Sequence, residues 1–276
     1  MKSSKVVAIQ GIPGSFHHQV ALEKFGDTAE VLYLDSFEEV AQNVALGEAD
    51  EGVMAIENSI AGAILPNYDL IDSHGLSVSG EHYLPISHQL MALPGQKIEN
   101  LKQIQSHPMA LLQCKSFLSK YPNLQTKAAK DTATVAREIS EAKTLEISAI
   151  GSRIAADIYG LEILAEDIQT VKNNFTRFIF LRKGNRSLEA SHSKASLKIT
   201  IKNQPGSLAK LLTKIHEYDF DLSKIQSVPV MEKPWEYAFF IDTLFDKGRN
   251  FELCMEEISK ELGEVKVLGT YERGMK

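Results

Sequence analysis

The sequence predicts an α/β protein of two lobes followed by a smaller α+β domain with a ferredoxin-like βαββαβ order. Three observations lead there. Before residue 183, short apolar runs alternate with segments of helical spacing, the mark of an α/β layer with a mainly parallel sheet. The stretch KGNRSLEASHSK, residues 183–194, has neither periodicity and reads as a linker. Beyond it, strand and helix patterns follow the order β, α, β, β, α, β. The expected divisions are 1–182 for the lobes, 183–194 for the linker and 195–276 for the small domain.

In chain order, Val6–Gln10 reads as a buried strand and GIPG as the turn after it. A helix is expected over His17–Phe25, a strand over Val31–Leu34, and a helix over Phe37–Leu46, where Phe37, Val40, Ala41, Val44 and Ala45 keep helical spacing. Gly52–Ile56 is the next strand. Leu76–Leu84 and His88–Leu93 read as strands that carry the chain into the second lobe. There, a strand at Gln103–Ser106 precedes a helix over Pro108–Lys120, with proline suited to a first turn. Asp131 reads as an N-cap for Thr132–Ser140. Strand Ile147–Ile150 and helix Ser152–Tyr159 complete this lobe, and Phe175–Arg182 returns the chain to the first. In the small domain, strands are expected at Ser196–Lys202, Leu222–Val230, Trp235–Phe245 and Val265–Tyr271. Leu208, Leu211, Leu212 and Ile215 mark one amphipathic helix, and Phe251–Leu262 the other.

Composition narrows the function. A net charge of −6 and a pI near 5.8 argue against a nucleic-acid surface, which needs clustered Lys and Arg, and no basic recognition helix is found. Cys114 and Cys254 lie far apart, so neither a disulfide framework nor a zinc site on CxxC pairs is expected, and Cys114 reads as a buried filler. His17 and His18 are adjacent, and His74, His82, His88 and His107 are scattered, so no metal site is expected. GIPGSF matches neither GxGxxG nor a Walker loop, and no nucleotide or organic cofactor is implied. The N-terminus lacks a signal-peptide core and no run is long enough to span a membrane, so a cytoplasmic protein is expected.

Chemistry-bearing residues gather at element ends. Glu57, Asn58 and Ser59 follow a strand, where open α/β sheets collect ligands. Ser106 and His107 stand between a strand and a helix, Thr132 at another helix start, and Ser15 after the first turn; free helix amides there favour an anion. Gln113 lies two helical turns after Ser106. NNFTRF, residues 173–178, sets Thr176 and Arg177 among Phe175 and Phe178. Together these suggest a pocket for a carboxylate-rich ligand between lobes.

The ordered fragments GVMAIENSIAG (52–62), SHPMALLQC (106–114), DTATVA (131–136) and NNFTRF, ahead of a βαββαβ unit, resemble the prephenate dehydratases over nearly the whole chain. The resemblance implies a catalytic part similar to type II periplasmic binding proteins and a C-terminal ACT regulatory domain. Some relatives carry a chorismate mutase helix domain first; with a strand beginning near residue 5, none is expected here. It implies decarboxylating dehydration of prephenate to phenylpyruvate, with Thr176 helping the leaving hydroxyl as a positioned donor and Arg177 holding a carboxylate. Phe175 and Phe178 would exclude water around the ring. Ser15, Asn58, Ser59, Ser106, Gln113 and Thr132 would bind substrate.

In the small domain, Gly206, Ser207, Leu208 and Ala209 match the family's GALV element, and Gln226, Ser227, Val228 and Pro229 stand where ESRP is usual. An acid and a cation of that element are thus replaced by Gln226 and Val228. KPWEY, 233–237, keeps the family pattern. The resemblance implies inhibitory phenylalanine binding between these two elements, and a homodimer or a dimer-based homotetramer. Arogenate dehydratases share the motifs, so arogenate is the alternative substrate. A non-catalytic amino-acid sensor is the alternative of another class.

Overall fold

β1 (Val6–Gln10) is apolar on both faces because both faces are covered: Val7 and Ile9 enter one core cluster and Ala8 another. This computed structural model describes residues 4–184, 188–229, 237–246 and 250–275. Around β1 the first lobe builds a sheet in the order β2 (Glu30–Leu34), β1, β3 (Glu51–Asn58), β11 (Phe175–Lys183), β5 (Leu76–Pro85), with the short β4 (Gly62–Ala63) beside β3. Helices α1 (Phe16–Phe25), α2 (Phe37–Leu46) and α3 (Leu65–Ser73) pack on it. The sheet is mixed rather than mainly parallel. β1 runs parallel to β2 and β3, but β11 comes back from the second lobe and lies antiparallel to β3 and β5. Apolar periodicity records a strand and its faces, not its direction.

The second lobe has the sheet order β10 (Glu162–Ala165), β6 (Gln89–Ala92), β9 (Ile147–Gly151), β7 (Gln103–Ser106), β8 (Gln125–Ala128). Its helices include α6 (Thr132–Ala142), which Asp131 caps as expected by accepting from Thr134 N, and α7 (Arg153–Tyr159). The single helix expected over 108–120 is instead α4 (Pro108–Gln113) and α5 (Lys115–Leu118). The cause is Thr170. Its N–H donates to Gln113 O at 2.8 Å and its hydroxyl accepts from Ser116 N at 3.2 Å, so a neighbouring segment enters the helical ladder.

The lobes meet at two crossing segments bound to each other: Ile86 N donates to Asn174 O, and Ile168 N to His88 O. They also touch at GIPG, where Ser152 Oγ donates to Gly14 O and Tyr159 OH to Pro13 O. Gly14 is required there. Its φ is +88°, and a Cβ would stand 2.9 Å from Ala155 Cα.

The C-terminal unit follows βαββαβ: β12 (Lys194–Ile201), α8 (Ser207–Glu217), β13 (Asp221–Pro229), β14 (Tyr237–Leu244), α9 (Phe251–Glu261), β15 (Gly263–Tyr271), with sheet order β13-β14-β12-β15. α8 and α9 bury Leu211, Ile215, Met255 and Ile258 on one sheet face. The other face lies on the first lobe, where Ala238, Phe240 and Leu268 join Tyr68, Ile71 and Val78 in one apolar cluster. β15 approaches so closely that a Cβ on Gly269 would stand 2.1 Å from Val78 O. The bilobed α/β part and the ferredoxin-like domain are both as expected. β11 runs to Lys183 and β12 begins at Lys194. Residues 233–236 of KPWEY, and with them the first two positions of the strand expected from 235, lie outside the described residues. No helix of the described residues is long and apolar enough to cross a membrane.

Candidate active site

Where β1 and β3 end, a cleft of about 440 Å³ opens between the lobes. This is the strand edge at which α/β sheets collect ligands. Ser15, His17, Asn58, His88, His107, Gln113, Thr132, Thr176 and Phe178 all line it. Six of them were expected from sequence: Ser15, Asn58, Gln113, Thr132, Thr176 and Phe178.

Thr176 is held by Asn58. Asn58 Oδ1 accepts from the amides of Ile60 and Ala61 at 3.0 and 2.9 Å, so its Nδ2 must face the other way. Nδ2 donates to Thr176 Oγ1 at 3.0 Å and to Asn174 Oδ1 at 2.8 Å. A hydroxyl that accepts from Asn58 keeps its own proton for a partner in the cleft. Across the lobes, Asn174 Nδ2 donates to Gln113 Oε1 at 3.1 Å, and His88 Nε2 lies 2.9 Å from the same oxygen. Gln113 therefore keeps its NH₂ out of these bonds.

His17 was set aside at the sequence level and proves to face the cleft. Its Nε2 accepts from Ala55 N at 3.3 Å, which leaves the ring proton on Nδ1. Burial lowers its pKa to about 4, so it is a neutral donor at physiological pH. Ser15 caps α1 by accepting from His18 N, and the other first-turn amides have no partner within the helix. Thr132 begins α6, whose amides are partly served by Asp131.

Four expected residues are not in the cleft. Successive residues of a strand point to opposite faces. Thr176 and Phe178 therefore face the cleft side, while Phe175 and Arg177 face the C-terminal domain. Arg177 is 4% exposed. It donates from Nε to Glu81 Oε2 at 2.7 Å, from Nη1 to Asp242 Oδ2, and from Nη2 to Tyr271 OH at 3.0 Å. Its carboxylate partners are thus Glu81 and Asp242, and the assignment to substrate is corrected. Ser59 donates to Asn173 O and accepts from Phe175 N; with Phe175 it borders a cavity between the first lobe and the C-terminal domain. Ser106 is fully buried and donates to Ile150 O, which ties β7 to the core. Cys114 is fully buried, and burial pushes its thiol up to about 12. Neither His88 nor Asn174 was singled out in sequence as a site residue. The only signal was a polar residue at each lobe crossing.

At the C-terminal domain, Gly206 takes φ +83° and starts α8 with no side-chain cap. Ser207, Leu208 and Ala209 form its first turn. Val228 is 7% exposed and packs with the apolar cluster against the first lobe, so its side chain belongs to that interface and not to an open ligand site. Gln226 Nε2 turns back to Ser227 O, and Pro229 pairs with Tyr237 in the ladder. Ser227 is exposed on β13, the edge of the sheet.

A family described as prephenate dehydratase matches residues 7–186. An arogenate dehydratase/prephenate dehydratase of Arabidopsis thaliana, named as chloroplastic, is 38% identical over 255 residues, 87% of this chain; the chain spans 64% of that relative. A prephenate dehydratase structure from Arthrobacter aurescens, solved with L-Phe, superposes with a TM-score of 0.87 at 26% identity, covering 97% of this chain and 90% of that one. A structure described as GqqA, a novel type of quorum quenching acylase, superposes with a TM-score of 0.88 at 25% identity, covering 98% of both chains. With a family match over both lobes and the expected fold in place, the chain belongs to the prephenate dehydratase family, a family of lyases.

Proposed function

We propose that the chain converts prephenate to phenylpyruvate and is feedback-inhibited by L-phenylalanine. The observation that carries the reading is the Thr176 hydroxyl, held by Asn58 with its proton left for the cleft. Prephenate is a dianion whose ring carries a hydroxyl at C4. The ring carboxylate leaves as carbon dioxide, its electrons enter the ring, and the C–O bond at C4 breaks as hydroxide departs. Aromatisation drives the step. The protein's task is to hold two anions and stabilise hydroxide as it leaves. Thr176 donates to that oxygen as its charge develops. Gln113 NH₂, His17 Nδ1–H and the first-turn amides of α1 supply neutral donors for the carboxylates. Neutral donors suit a carboxylate that must be lost, since a buried cation would stabilise it in the ground state.

Arogenate, with an amino group in place of the keto oxygen, is the second reading, favoured by the double name of the Arabidopsis relative. Acyl hydrolysis has less support, because the nearby thiol of Cys114 is buried with its pKa pushed up to about 12. Phenylalanine inhibition is assigned to Gly206–Ala209 with Ser227 and Pro229. The uncapped start of α8 offers amides to a carboxylate. The exposed edge strand β13 offers a surface for a second copy in a homodimer or homotetramer. The test is phenylpyruvate formation from prephenate, with and without phenylalanine, beside phenylalanine formation from arogenate. Turnover of neither substrate would overturn the enzymatic reading and favour a sensor.

A further inference from the structure

Hydrogen-bond direction in the cleft can be followed from a fixed point. Backbone amides only donate, so the bonds from Ile60 and Ala61 lock the orientation of Asn58. Asn58 Nδ2 then makes Asn174 Oδ1 an acceptor, which turns Asn174 Nδ2 toward Gln113. Gln113 must answer with Oε1. His88 Nε2, 2.9 Å from that oxygen, must therefore carry the ring proton.

His88 is 2% exposed, and its Nδ1 has no partner among the described residues. The ring's hydrogen bonding is thus directed to Gln113 alone. Phe16 meets it edge-on at 5.7 Å between centroids, and Gln169 Oε1 accepts its backbone N–H. Burial lowers the His88 pKa, which keeps the ring neutral.

We propose that His88 and Asn174 are positioning residues: their hydrogen-bond direction fixes Gln113 with its NH₂, not its carbonyl oxygen, toward the substrate. This rests on the dehydratase reading of the cleft. Two donors converge on Gln113 Oε1. If the amide flipped, NH₂ would face both donors and a carbonyl oxygen would face an anionic substrate. The same chain of bonds ends at Thr176, so one polarity serves both lobes.

The test joins kinetics to a direct readout of the proton. In His88→Leu, kcat/KM on prephenate should fall about tenfold or more, and His88→Gln, which restores a donor, should recover most of the loss. Asn174→Asp can accept from Asn58 but cannot donate to Gln113, and should lose about 10²-fold in turnover. Nitrogen NMR of the wild-type chain should show His88 as the neutral Nε2–H tautomer at neutral pH. Equal activity of His88→Leu and wild type, equal impairment in Leu and Gln, or an Nδ1–H tautomer would each overturn the proposal. Should His88→Leu fail to fold, the Asp variant and the tautomer still decide. The NMR readout needs no turnover, so a chain inactive on prephenate would overturn the functional reading while the tautomer separately judged the bonding direction.

Discussion

Strand β11 has two faces with opposite electrostatic designs. On the cleft face, Thr176 belongs to a network of neutral amides, a hydroxyl and an imidazole. On the face toward the C-terminal domain, Arg177 belongs to a cluster with Glu81, Asp242 and Lys194 whose formal charges cancel. The difference teaches where each kind of group is useful. On the dehydratase reading, neutral donors can be aimed at a departing carboxylate while stabilising it less than a buried cation would. Full charges, once buried, demand paired partners and so hold two domains in one register.

The largest effect separating the faces is expected from Thr176→Ala. Removing a donor aimed at developing charge should cost about 10³-fold in turnover, about 4 kcal/mol. The unfolding midpoint should stay near that of the wild type, because among the described residues the hydroxyl's one bond is to Asn58. Activity near wild type in a folded variant would take Thr176 out of the chemistry.

Next comes Arg177→Met. It leaves Glu81 and Asp242 buried with one cation fewer, which should cost about 3–4 kcal/mol of stability by urea unfolding. Arg177→Lys keeps the charge but loses the planar fork that reaches three partners, and should recover only part. If Arg177→Met unfolded like the wild type yet lost prephenate binding, the assignment of this face would be wrong.

This residue also shows what the sequence could and could not disclose. Both lobes, the N-cap Asp131 and the βαββαβ unit follow from local periodicity and capping chemistry, which a sequence carries directly. Thr176 and Arg177 are neighbours in the chain, and neighbours in a motif look like neighbours in a site. Strand alternation separates them, and the alternation could have been applied in advance. Asp242, Arg177's partner, lies in another domain and could not have been found that way. His17 reaches the cleft through the packing of α1 on β3, and His88 and Asn174 meet Gln113 only where the lobes come together, to which periodicity is blind. Strand direction escaped for the same reason, and β11 proved antiparallel.

A third expectation concerns acid. His17 titrates near 4 in the folded chain and near 6.5 when unfolded. Between those values the unfolded chain binds more protons. Stability contributed by the neutral ring is therefore complete above pH 6.5 and lost as pH falls toward 4, by up to about 3 kcal/mol. Asp242 does not share that window. Burial would raise its carboxyl, but Arg177 and Lys194 outweigh burial and hold it below the usual range. Its contribution persists above the ordinary carboxylate pKa and is lost only as pH falls through the lower folded value. His17→Gln should flatten the pH 4–6.5 slope of stability; an unchanged slope would assign it to another group.

The smallest effect tests the comparison most narrowly. Glu57 and Asn58 are consecutive on β3, yet Asn58 serves the cleft while Glu57 meets Lys224 of the C-terminal domain at 2.9 Å. The Glu57 side chain is 38% exposed and that of Lys224 8%, so water screens the pair from one side, as it does not screen the Arg177 cluster. A double-mutant cycle with Glu57→Gln and Lys224→Met should return a coupling of about 0.5–1 kcal/mol. It should shrink with added salt, as screening at the exposed Glu57 carboxylate requires. Turnover in Glu57→Gln should stay within about twofold of wild type, since alternation aims this carboxylate away from the substrate. A loss comparable to that of Thr176→Ala would mean that both faces of the sheet edge serve the reaction, and the division between neutral chemistry and charged scaffolding would fail at its nearest point to the site.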